Sequence, residues 1–565
     1  MPRFLHRLRR ARKGASLVEY ATLLALIAAI SFVSLLNLGA VTFSLFDRVN
    51  QELTLAAQSV EGEARSRAQP LIMQVDTRLS AGNVVGLVLD SGSGLIDVEI
   101  DWGDRTGADI VRAGGPVFYE YAAPGIYTVQ IRGRFEALSM TGISGDSTAK
   151  VTAVAAWGDA APASLRGAFE RTTNLSVLPS NVPSSVVDMS RMLFASNYNG
   201  GEIALWNTAN VTDMSLLFAS NPSFNQNVGL WNTSNVRTMA SMFRGAVAFN
   251  QPIGNWNTGA VQDFSRMFQN TLFNQPIGNW NTSSAGTMEG MFRDNPQFDQ
   301  DLLGWNVSGV SDFSEMFRDA SGFDGDVSTW NTSSAQTMTR MFDGATSFNQ
   351  PLGTWNVSNV SEMDFMFHRT LAFSQDLSGW NTGGVRTMES MFALSGFNGD
   401  VSPWNVSGVE SFASMYQGAT NFNQDLSGWN TGAATTMASM FEQASSFTSD
   451  LSGWDVSNVQ RMEFMFSGAS SFNADLRSWN TAQVRRMDSM FEEALVFNGQ
   501  VGTWNVASLE GPSALNRFLR NAIAFDRDLQ CWNMALVSSR PALFADGSLI
   551  AAEPNWGGAP VGTCL

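Results

Sequence analysis

Pairs of thioethers recur along this chain as Met-x-x-Met, for example Met363 and Met366, and such sulfurs could ligate a soft metal. Core packing is the better reading. Phe264, Phe313 and Phe412 stand where their units would carry the first Met, which an apolar column tolerates and a thioether site does not. Asp301, Asp326, Asp376, Asp400, Asp425, Asp450, Asp475 and Asp528 share another column. Stacking would set their carboxylates about 5 Å apart, a spacing that could bind calcium or a cationic partner. Pro252, Pro276 and Pro351 share that column, and proline belongs to a turn or to the first residue of a strand, so a turn role leads. Nucleophilic catalysis needs a base, and beyond His6 the chain has only His368, whose equivalents in neighbouring units are Asp343 and Ala393. It reads as a surface substitution. Stacked acids could pair as in glycoside hydrolysis, yet nothing singles out two of them, and no cofactor or metal is expected. The two cysteines, Cys531 and Cys564, both lie near the C-terminal end; in an oxidising compartment they read as one disulfide closing the last stretch.

Thirteen tryptophans from Trp206 to Trp504 recur every 24 or 25 residues. Such a period means a solenoid of stacked units. In one unit, Phe348-Asn349-Gln350-Pro351-Leu352 leads to Trp355-Asn356 and then to Met363 through Met366-Phe367. Val360, Met363, Met366 and Phe367 fall on one face of a short helix, while Leu352 to Trp355 is extended. The expected coil is therefore one strand plus one helical turn, an α/β leucine-rich-repeat-like solenoid of about 25-residue coils. The aromatic column extends back to Phe169 and forward to Phe544, giving about sixteen coils and a rod of roughly 75 Å. Asn207, Asn232 and Asn257, each following a Trp, are expected to form an amide ladder inside the coil. The array is placed at 146–530, with a C-terminal cap at 531–565.

Residues 1–14 hold six basic residues and no acid, and 21–46 carry no charge, enough to cross a bilayer as a helix. The positive-inside rule then exports the rest of the chain. Glu19 interrupts the apolar segment near its start, a costly place for a carboxylate unless paired. Around Gly14, Ala15, Glu19 and Tyr20 the sequence resembles type IV prepilins of the tight-adherence (Flp) class, whose leader ends in Gly and whose fifth and sixth mature residues are Glu and Tyr. The resemblance implies a leader at 1–14 and cleavage between Gly14 and Ala15 by a prepilin peptidase. It further implies a transmembrane pilin helix at 15–60, with Glu19 meeting a neighbouring subunit.

After a linker at 61–70, alternating stretches such as Val98-Glu99-Ile100 read as strands. Asp101-Trp102-Gly103-Asp104 followed by Tyr119-Glu120-Tyr121 and Pro124-Gly125-Ile126-Tyr127 is similar to the polycystic-kidney-disease (PKD) domain, a small β-sandwich, here placed at 71–145 as a spacer. Asp101 and Asp104 could bind a cation, though turn-capping is the commoner role. The repeat unit resembles the BspA-like surface-protein repeats, which implies a cell-surface location and adhesion or protein binding.

The net charge of −17, with the basic residues of 1–14 set apart, leaves an acidic body that disfavours nucleic acid. The combined expectation is a mixed fold: pilin-type helix, small β-sandwich, then α/β solenoid. Its function would be that of a non-enzymatic, surface-displayed pilin-like protein, a minor pilus subunit or adhesin binding protein or glycan partners. It would start in the bacterial inner membrane and end at the cell surface or pilus. Competing readings are a membrane-anchored binding receptor outside filaments and a surface polysaccharide-degrading enzyme.

Overall fold

A computed structural model describes residues 67–90 and 95–561 of the chain. The first part is a sandwich of antiparallel strands: β1 (Leu71–Asp76), β2 (Val84–Asp90), β3 (Leu95–Asp101), β4 (Ala108–Ala113), β5 (Gly115–Glu120), β6 (Ile126–Arg134), β7 (Ala137–Ser139) and, after the one-turn helix α1 (Gly145–Thr148), β8 (Val151–Ala156). One sheet has the order β4-β3-β6-β1-β8 and the other β5-β2-β7. Inward residues Leu71, Met73, Val75, Val85, Leu87, Leu89, Val129 and Ile131 are buried, as period-two alternation requires of two packed sheets. Asp101 and Asp104 cap their own turn: Oδ1 of Asp101 accepts from the Gly103 N–H, and Asp104 accepts from Thr106 and the Tyr119 hydroxyl.

The sandwich is continuous with the solenoid. Ala137 of β7 bridges in parallel to Ser164, and Ala153 of β8 bridges to Val177, so both sheets run on into the solenoid. From Ser164 the bridges continue unbroken through Asp188, Asp213 and their successors to Arg486. A repeat array exposes apolar surface at its ends, and the sandwich covers the first of these. Strand β8, expected inside the solenoid, belongs to this cap.

The coils differ from the expected strand and helix. The 3.6-residue spacing of Val360, Met363, Met366 and Phe367 is real, but consecutive tight turns satisfy it instead. Met366 N–H donates to Met363 O (3.2 Å), His368 N–H to Phe365 O (3.1 Å) and Thr370 N–H to Phe367 O (3.2 Å). The intervening donors leave the coil: Phe365, Phe367 and Arg369 N–H reach Glu389, Met391 and Ala393 carbonyls of the next coil at 2.8–2.9 Å. Phe365 and Arg369 have φ of 57°, a left-handed backbone that ends any helical run. The pair recurs along the array, as Ser390 with Leu394 and Glu315 with Asp319. The α/β description is thereby corrected to a solenoid of turns and single parallel bridges. Between coils, helices are limited to short 3-10 segments at Gly201–Leu205 and Pro512–Leu515.

The core is a set of ring columns. Trp305, Trp330 and Trp355 stack at 6.3 and 5.9 Å, Phe317, Phe342 and Phe367 at 5.5 and 5.7 Å, and within a coil Phe342 lies 4.0 Å from Phe348. The Met-x-x-Met sulfurs sit in this core, with Met363 and Met366 fully buried. Each indole also ties two coils together: Trp330 Nε1 donates to Leu302 O (3.0 Å) and Trp355 Nε1 to Val327 O (3.1 Å).

Tyr416 replaces phenylalanine in the column between Phe392 and Phe441. It is fully buried, its hydroxyl has no hydrogen-bond partner among the described residues, and burial pushes its phenol far above the ordinary value. An unsatisfied buried hydroxyl carries a desolvation cost, so Tyr416→Phe is expected to stabilise the protein by about 1 kcal/mol. The check is the urea midpoint of the full chain, which should rise; a fall would mean that the hydroxyl is satisfied in solution.

Candidate functional site

Residues Gly14, Ala15, Glu19 and Tyr20 lie outside the described residues, as does Cys564. Cys531 is disulfide-bonded. Among the described residues no helix is long and apolar enough to cross a membrane, and no group of His, Cys, Asp and Glu is arranged to hold a metal ion.

The acidic column makes turns. Asp376 Oδ1 accepts from the Ser378 N–H and Asp425 Oδ1 from the Ser427 N–H, at 2.8 and 2.9 Å, and these backbone bonds hold both carboxyls below their usual range. The depression over Asp450 and Asp475 is lined by such self-capped groups. The asparagines after Trp behave likewise: Asn356 is exposed and accepts from the Ser358 N–H (3.1 Å). With Trp355 facing inward, the next residue along an extended backbone must face out. The polar ladder lies earlier in the coil, after the Phe348 column, where Asn349 N–H donates to Asp324 Oδ1 (2.9 Å) and Asn349 Oδ1 accepts from Ser374 N–H (3.1 Å). Between coils, buried Thr332 Oγ1 donates to Asn356 O (2.9 Å).

Two features on the Met-x-x-Met side were not legible in the sequence. The first is an ion network around Asp343, which is 1% exposed. Its carboxylate meets Arg340 (3.2 Å), Arg369 (2.8 Å) and His368 Nδ1 (2.8 Å), with Arg318 at 3.8 Å. Burial opposes ionisation of Asp343, but the hydrogen bonds from His368 and Arg369 outweigh it and hold the carboxyl below its ordinary value. His368 is thus a partner of Asp343 rather than a bare surface substitution.

The second feature is a trough of about 470 Å³ farther along the same side. Two adjacent coils carry only small side chains there, Ala413-Ser414 and Ala438-Ser439, between Glu389 on one side and Glu463-Phe464 on the other. Arg461 donates from both Nε (2.7 Å) and Nη2 to Glu463 Oε1, and Arg486 donates from Nε (3.0 Å) and Nη2 (2.9 Å) to Asp488 Oδ1. Glu463 Oε2 is buried and has no hydrogen-bond partner among the described residues. The trough arises because neighbouring units fill one backbone position with residues of very different size, a signal visible only once the units are stacked in register.

A family model described as "Mycoplasma protein of unknown function, DUF285" matches residues 163–272, 187–304, 253–346, 287–396, 374–476 and 449–556. The chain belongs to this family. The matches to DUF285 overlap along the whole solenoid and cover well over half of the chain. No curated protein and no solved structure matches the chain. The expectation of a prepilin start and of inner-membrane anchoring is not supported: the family matches begin at residue 163, and among the described residues, which do not include 1–66, no helix is long and apolar enough to cross a membrane. The pilin reading is set aside. What stands is a repeat protein of the DUF285 family.

Proposed function

We propose that the protein is a non-enzymatic surface repeat protein whose solenoid binds protein or glycan partners. The observation that carries this reading is the contrast between columns. Buried positions keep Trp, Met and Phe from coil to coil, whereas one half-buried position at the surface runs through Glu289, Ser314, Thr339, Asp364, Glu389 and Ala413. A constant core that presents changing side chains on a long surface is how repeat scaffolds recognise extended partners. The solenoid's acids and amides are largely engaged in their own turns and ladders, which favours recognition over turnover.

The test is biolayer interferometry of the immobilised full-length chain against panels of purified extracellular proteins and oligosaccharides. Binding to at least one, tighter than about 100 μM, is expected. Silence across both panels, or glycan hydrolysis by the purified chain, would sink the proposal.

A further inference from the structure

We propose that the trough between Glu389 and Phe464 binds a hexose unit of a neutral glycan; this rests on the solenoid being a binding surface and names the class of ligand that one part of it takes. Three groups in the trough lack what a ligand would bring. The Glu463 side chain is 8% exposed, and while Oε1 takes both donors of Arg461, Oε2 has none among the described residues. A buried carboxylate oxygen without a donor carries a desolvation cost that an incoming O–H would remove. Arg461 and Arg486 each spend Nε and Nη2 on their carboxylates, and among the described residues neither Nη1 has a hydrogen-bond partner. Both guanidiniums are open to solvent, with side chains 60% and 46% exposed, so these N–H groups can donate to the acceptors of a ligand in place of water.

The aromatic ring supplies the third need. Phe464 occupies a left-handed backbone position with φ of 57°, where most coils carry Ser, Arg or Gly. The one other phenylalanine at this position, Phe365, is covered by the Arg340 guanidinium of the preceding coil, 3.9 Å above the ring. Before Phe464 the preceding coil carries Ser439, so no guanidinium or ring covers it among the described residues, and it borders the trough half-buried.

A ligand that completes all three must donate and accept hydrogen bonds along one edge and present an apolar face to a ring. A hexose does both, with hydroxyls around its rim and C–H groups on its face. An anionic ligand would meet Glu389, Glu463 and Asp488, and a cationic one would face the guanidiniums of Arg461 and Arg486. The volume of about 470 Å³ lies within the range of small-molecule sites.

The experiment is calorimetric titration of the full-length chain with neutral hexasaccharides of α-1,4-glucose, β-1,4-glucose and β-1,4-mannose, and with hexaarginine as the cationic alternative. Two variants accompany it, Glu463→Ala and Phe464→Ser. They install what the preceding coil already carries at these positions, Ala438 and Ser439, so the backbone is one that the protein already builds. The expected result is binding of at least one hexasaccharide and a loss of about tenfold or more in each variant, the size expected for truncating a central contact. Saccharide binding unchanged in both variants would overturn the site while leaving the binding-scaffold reading intact. Hexaarginine binding that both variants abolish, with every hexasaccharide silent, would overturn the glycan class. Silence of all four probes overturns the inference alone, since protein partners in the interferometry panel test the broader function separately.

Discussion

Trp330→Ala is expected to destabilise the solenoid by about 3–5 kcal/mol, the range for removing a fully packed large aromatic side chain. Trp330 is 3% exposed and sits among Trp305 (6.3 Å), Trp355 (5.9 Å), Phe313 (5.8 Å) and Phe317 (6.4 Å). An alanine there leaves a void that the ladder of inter-coil hydrogen bonds on the opposite side prevents from collapsing. Trp330→Phe separates packing from hydrogen bonding. The indole N–H is lost, but Leu302 O keeps the Trp305 N–H (3.0 Å), so its carbonyl is not orphaned and the cost should be only about 1 kcal/mol. Because each coil contacts only its neighbours, the alanine variant should lose hydrogen-exchange protection first in the coils flanking 330, with distant coils unaffected. Equal loss along the whole array would refute this nearest-neighbour picture. Equal cost for Ala and Phe would show that the indole hydrogen bond, not ring packing, dominates.

Asp343→Ala is the second large effect, about 2–3 kcal/mol, because it leaves several cations facing one another around a buried position. Arg318, Arg340 and Arg369 retain 26–41% exposure and can rehydrate in part, which places the cost at or below the low end for a broken buried pair. The pH dependence follows from the direction of the shift. The folded carboxyl is held below its unfolded value near 3.9, so its stabilisation is present in full above that value and is lost as pH falls through the folded one. The gap between wild type and variant, read from urea unfolding at several pH values, should therefore be constant at neutral pH and shrink in acid. Adding Arg369→Gly, which the left-handed backbone accepts as it does at Gly344, should recover part of the loss by about 1 kcal/mol of coupling. A strictly additive double variant would mean that the network acts as separate surface pairs.

The period of the tryptophans and the mixing of Met with Phe in one column were enough to expect a solenoid with a ring-filled core, because burial selects residue types one position at a time. They could not decide how the backbone closes each turn. The spacing of Val360, Met363, Met366 and Phe367 suits a helix and a run of turns equally well, and the choice rests on where the N–H groups go. In the stack they go to the next coil, a partner that lies one unit away in sequence and that no local pattern announces. The same non-local bookkeeping misled the reading of Asn356. Its recurrence is plain, but which side it faces depends on the inward direction of Trp355.

Roles that depend on stacked neighbours were invisible for a related reason. Asp343 and His368 can be placed in one column from the sequence, but not that they pair at 2.8 Å around a buried carboxylate. Phe464 looks like Phe365 until the preceding coil is seen to carry Ser439 in place of Arg340. The sandwich strands were legible from their alternation, but not their use, since capping requires β7 and β8 to pair with Ser164 and Val177 across stretches of chain where no motif marks the partner.

By itself, then, the sequence determined that this protein is a repeat array with an apolar aromatic core and an acidic body, because periodicity and composition are properties of single residues. Only the tertiary structure decided that the coils are turns rather than helices, that the sandwich is their cap, and which exposed residues share a site, because each of these is settled by hydrogen bonds and contacts between residues some 25 positions apart.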